Sequence, residues 1–150
     1  MADIFFYHLT STSLDQALPK LLEKALQGNF CAVVRVADSQ EAERLNSWLW
    51  NYNPDSFLPH GTAKDGYSNQ QPIYITAENE NPNAANLLVI TCGFHPESVD
   101  EYARVLDIFN GEDEQQVNEA RQRWKHYAAM GNTVSYVRQS ASGGWEKQST

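Results

Sequence analysis

The sequence predicts an α/β fold: a single three-layer domain whose mostly parallel central sheet is flanked by helices. Two observations carry that expectation. Short runs such as residues 3–9 (DIFFYHL), 30–36 (FCAVVRV) and 87–91 (LLVIT) are apolar almost throughout, the habit of strands covered on both faces. Between them lie segments whose apolar residues recur at helical spacing, several preceded by a serine or aspartate able to cap a helix.

The elements follow in order. After the opening strand, Ser11 and Ser13 offer capping hydroxyls to a helix with Leu14, Ala17, Leu18, Leu21, Leu22 and Ala25 on one face, closed by Gly28. Pro19 implies a kink there, or a helix that begins at 19. The second strand is followed by Asp38 and Ser39, which cap a helix with Ala42, Leu45, Leu49 and Trp48 as its apolar positions. Pro54, Pro59, Gly61 and Gly66 break the pattern into a long loop over 51–71. A short strand over 73–76, an Asn- and Pro-rich loop over 79–86 and the strand over 87–91 come next. Pro96 is expected to open a helix with Val99, Tyr102, Ala103 and Leu106 on one side. Glu112, Asp113 and Glu114 begin the following helix, where the macrodipole favours negative charge. A late strand spans 133–137. The expected division is therefore a domain over 1–139 and a flexible C-terminal tail over 140–150, polar apart from Trp145.

Composition narrows the function. The chain has 150 residues, 41% of them hydrophobic and 20% charged, as in ordinary globular proteins. No apolar run nears the roughly 20 residues that span a bilayer, and the first residues go straight into a strand-like run without the basic region and cleavage site of a secretory signal. The expectation is a cytoplasmic protein without membrane attachment. Cys31 and Cys92 each sit in an apolar run, which suits small buried side chains better than a disulfide or a metal site. The net charge of −8 opposes a direct, strong grip on DNA, which needs a basic stripe that neutralises several phosphates.

Catalytic signatures are missing. The turn after the first strand, Thr10-Ser11-Thr12-Ser13, has no glycine to admit a pyrophosphate. The segment from Gly61 to Gly66 lacks the phosphate-loop spacing, and no Gly-x-Ser-x-Gly elbow occurs. His8, His60, His95 and His126 show no ligand spacing, so neither a metal nor another cofactor is expected. His60, between Pro59 and Gly61, is expected to stitch the long loop to the sheet. The alternative kept open is a nucleotide-binding α/β enzyme acting at the carboxyl ends of the strands.

Three segments, in this order, carry a resemblance. They are Phe6-Tyr7-His8-Leu9; Leu49-Trp50 with Ser56-Phe57-Leu58-Pro59-His60; and residues 120–127 (ARQRWKHY). Together they resemble the chi subunit family of the DNA polymerase III holoenzyme, over residues 3 to about 137. The resemblance implies an α/β protein without catalysis of its own. It would link the clamp-loader complex, through the psi subunit, to the C-terminal tail of single-stranded DNA-binding protein. For the tail it implies Val117, Arg121, Trp124 and Lys125. Val117, Arg121 and Lys125 fall at i, i+4 and i+8 on a helix, with Trp124 on the adjoining apolar strip. Such an edge suits an acidic peptide ending in a hydrophobic residue with a free carboxylate. Taken alone, the same residues also fit a solvated helix face. Arg123 lies about 200° around an ideal helix from Arg121 and is the weaker candidate. For psi or another clamp-loader component the resemblance implies Trp50, Phe57 and Leu58, which the residues alone allow either to face a partner or to fold inward.

Overall fold

A computed structural model describes residues 2–52, 59–96, 98–142 and 144–148. Among them seven strands form one sheet in the order β3-β2-β4-β5-β1-β6-β7, and every pairing is parallel except β6 with β7. The strands are β1 (Asp3–Leu9), β2 (Ala32–Arg35), β3 (Ile73–Thr76), β4 (Leu87–Ile90), β5 (Arg104–Asn110), β6 (Thr133–Gln139) and β7 (Trp145–Gln148). Helices α1 (Leu14–Gln27) and α2 (Ser39–Asn51) pack on one face, burying Leu18, Leu22, Leu45 and Leu49 against Val34, Ile75, Val89 and Ile108. Helix α3 (Glu114–Ala129) covers the other face, with Ala120 and Tyr127 against Ile4, Phe6, Val105 and Phe109. The three-layer α/β architecture is the one the sequence predicts. No helix among the described residues is long and apolar enough to cross a membrane.

The helix starts obey local chemistry. Ser13 caps α1 with a full capping box: its hydroxyl accepts from the Gln16 N–H, and the Gln16 side chain accepts from the Ser13 N–H. Asp38 caps α2 by accepting from the Glu41 N–H at 2.8 Å. Pro19 neither starts nor ends α1. It stands inside the helix, and the Asp15 carbonyl it leaves without a helical donor accepts from the Trp48 indole Nε1–H of α2 at 2.7 Å. The missing bond is thus replaced across the α1–α2 interface.

Several expectations need correction. The helix expected after Pro96 is not found among the described residues: 98–103 run irregularly, with Val99 and Tyr102 buried, and Leu106 belongs to β5. Val99, Tyr102, Ala103 and Leu106 mimic helical spacing, while Asp107 interrupts the apolar run that would have revealed the strand. The tail carries β7, which pairs with β6 from Tyr136↔Gln148 to Gln139↔Trp145, and the Trp145 ring packs edge-on against Tyr7 at 4.9 Å. Cys31 is only half-buried and Cys92 is exposed, because β4 ends at Ile90 and the chain then turns through Gly93 at φ 72°. His60 is buried, and its Nε2 meets the Asn46 carbonyl of α2 at 3.0 Å, which ties the loop to a helix. The link from that loop to the sheet is made by Gly61, whose backbone bridges to β3 at Tyr74.

Candidate functional site

Helix α3 is placed by a buried ion pair. Asp113 caps it, accepting from the Gln115 and Gln116 N–H groups. About two and a half turns in, Arg123 reaches the sheet, where its Nε and Nη2 donate to the two carboxylate oxygens of Asp107 on β5 at 2.6 and 2.9 Å. Their side chains are only 7% and 0% exposed. Burial pushes the Asp107 carboxyl up, and the guanidinium opposes it. Arg123 therefore faces inward, on the side of the helix away from Arg121. With the helix rotation set in this way, Arg121 and Lys125 stay exposed while Val117 and Trp124 lie half-buried at the edge.

That edge overhangs β1 and β6 and forms a groove of about 480 Å³. It brings together all four residues expected to hold an acidic tail: Val117, Arg121, Trp124 and Lys125. The sheet contributes a floor that the sequence reading missed, made of Phe6 and His8 from β1, Phe109 from β5 and Tyr136 from β6. The Trp124 ring lies 5.5 Å from Phe6 and 6.4 Å from Tyr136, and His8 lies 5.1 Å from Phe109. Phe6 and His8 alternate along β1 and so share a face, a signal present in the sequence; which helix covers that face is not.

The groove's charge differs in sign from the protein's. Among the described residues its lining holds the cations Arg121 and Lys125, with the imidazole of His8, and no carboxylate, although the chain carries −8. Elsewhere Arg44 is bound to Asp15 and Glu41, Lys64 to Glu43, and Arg123 to Asp107. A cationic rim over an aromatic floor can hold a chain that offers carboxylates and one large apolar side chain.

The second expected surface lies across the sheet, on the α2 side. Trp50, at the end of α2, is 49% exposed and its ring lies 4.3 Å from that of His60. Phe57 and Leu58 fall outside the described residues.

The carboxyl ends of the strands, where an α/β enzyme would bind a nucleotide, form a crevice of about 490 Å³ beside the β1–α1 turn. The N–H groups of Thr10, Ser11 and Thr12, which could cradle a phosphate, all donate to the Gln139 side-chain oxygen at 3.0–3.2 Å. Gln139 Nε2 in turn donates to the Thr12 hydroxyl at 2.6 Å. An anion would have to displace this amide, and Glu112 lines the same crevice.

Known proteins resemble this chain over most of its length. A family model described as DNA polymerase III chi subunit, HolC, matches residues 1–135. Over 90 residues the chain is 40% identical to a probable DNA polymerase III subunit chi of Rickettsia prowazekii (strain Madrid E), covering 60% of this chain and 54% of that relative. The chain thus matches about half the length of that curated relative.

Proposed function

This chain belongs to the DNA polymerase III chi subunit family, and we propose that it works as a non-catalytic adaptor of the replication machinery. In this reading it joins the clamp-loader complex, through psi or an equivalent protein, to the acidic C-terminal tail of single-stranded DNA-binding protein. It acts in the cytoplasm, without a cofactor and without binding DNA strongly itself. The observation that carries the reading is the groove under α3: Arg121 and Lys125 rim an aromatic floor that no carboxylate lines among the described residues. Arg121 offers a planar fork for a terminal carboxylate, and Lys125 a point charge for an acidic side chain. Trp124, with Phe6 and Tyr136 beneath, provides the apolar seat. On the opposite side Trp50 marks the surface for psi or the clamp loader, with Phe57 and Leu58 as its further candidates.

The test is a titration of an acidic peptide ending in Phe against the whole protein, repeated with Arg121→Ala and Lys125→Ala. Each loss of a charged contact should cost about 1.5–3 kcal/mol, or ten-fold or more in affinity. Binding should also weaken with added salt, because both cations are exposed to solvent. Undiminished binding in both variants rejects the groove as the site, and absence of binding to the wild type rejects the function.

A further inference from the structure

We propose that His8 is a third, proton-switched charge of the groove: an acidic peptide seated on Arg121 and Lys125 binds with uptake of a proton at His8, so its affinity rises as pH falls through the histidine range. This rests on the reading of the groove as a peptide site.

The imidazole is positioned for that part. It is half-buried in the groove floor, with Phe109 on one side, and its Nδ1 shares a hydrogen bond with the Tyr136 hydroxyl. Against its other edge lies Gly111, where a Cβ would overlap the ring, so only glycine leaves His8 this place. The Tyr136 hydroxyl can donate to neutral His8 and accept from protonated His8, which gives both charge states a partner.

The groups around it set the direction. On β6, Arg138 stands beside His8 in register, with Glu146 of β7 opposite that arginine. Helix α3 contributes Arg121 and Lys125. On the same face of β5, one pair deeper, lies Asp107, already engaged by Arg123. The turn after Gly111 continues into Glu112 and the helix cap Asp113. Burial, and then the charge of Arg138, hold the His8 pKa below its ordinary value, against a backbone hydrogen bond with Gly111. The free protein therefore keeps His8 neutral near pH 7. A peptide that brings several carboxylates into this cationic groove reverses the local field and favours imidazolium. Linkage then ties the two equilibria: each unit by which the bound peptide raises the His8 pKa makes binding up to ten-fold tighter at acid pH.

The experiment measures binding of a fluorescently labelled acidic peptide ending in Phe between pH 8.0 and 5.5 at fixed ionic strength, where the peptide's carboxylates stay ionised. Wild type, His8→Gln and His126→Gln are compared, the last because His126 is an exposed histidine of α3, the helix that carries Arg121 and Lys125. Wild type and His126→Gln should gain about three- to ten-fold across that range, and His8→Gln should stay flat. Calorimetry of the wild type in two buffers of different ionisation enthalpy reads proton uptake directly and needs no variant. Peptide binding that is tight but independent of pH, without proton uptake, overturns the proposal and leaves the groove assignment standing. So does a pH dependence that survives in His8→Gln or disappears in His126→Gln. Absence of binding at every pH rejects the groove assignment and this proposal together.

Discussion

Replacing Arg123 with methionine tests how α3 is held in place. The substitution keeps most of the apolar stem but removes the guanidinium, leaving the Asp107 carboxylate, 0% exposed, without its bidentate partner. Breaking a buried pair from one side costs about 3–5 kcal/mol, because the remaining charge is neither solvated nor paired. A domain is held by roughly 5–15 kcal/mol in all, so the variant should stay folded but be markedly weakened. For about 150 residues each kcal/mol moves Tm by about 2–4 °C, so a loss near 4 kcal/mol lowers it by roughly 8–16 °C. The double variant Asp107→Leu with Arg123→Met removes both charges together and should recover most of the loss, since an apolar pair of similar volume is often neutral or better. Thermal melts followed by circular dichroism, with urea titrations as a second measure, report both. An Arg123→Met protein melting within about 2 °C of wild type would refute the structural role given to the pair. So would a double variant destabilised by the sum of the two singles.

Two further outcomes follow from the same packing. Trp48→Phe removes the donor that serves the Asp15 carbonyl and should cost about 1–3 kcal/mol. In a Pro19→Ala background the cost should shrink, because residue 19 then supplies a helical N–H to that carbonyl; equal costs in both backgrounds would contradict the compensation. On the alkaline side, burial pushes Tyr74 and Tyr102 up to about 12 each. A raised acid pKa means that the unfolded chain loses these protons first. Stability should then hold below pH 10 and fall from there to about pH 12, by up to about 1.4 kcal/mol per pH unit for each tyrosine. Urea midpoints between pH 9 and 11.5 check this, and a Tyr102→Phe protein should show a shallower fall than wild type.

Much of the architecture is legible in local sequence. The runs in β1, β2 and β4 are apolar on both sides, which only a sheet covered twice satisfies. Ser13, Asp38 and Asp113 announce helix starts by chemistry confined to one turn. The stripe of Val117, Arg121 and Lys125 is equally local, since helical spacing alone places them together. Strand β5 escaped notice because Asp107 breaks its apolar run, and a buried carboxylate becomes acceptable only once Arg123, from another element, is opposite it. Trp145 gave no strand signal by itself, because β7 exists only through pairing with β6.

The candidate site divides in the same way. One helix supplies the cations, and their spacing is written in the chain. The floor of Phe6, His8, Phe109 and Tyr136 comes from three strands that pairing makes neighbours. Residues 8, 109 and 136 are distant along the chain, and no periodicity within a segment can bring them together. The fold class and the charged rim were thus determined by short-range spacing and capping. The depth of the groove, its aromatic floor and the setting of His8 were decided by long-range strand pairing and by the buried ion pair that sets the rotation of α3.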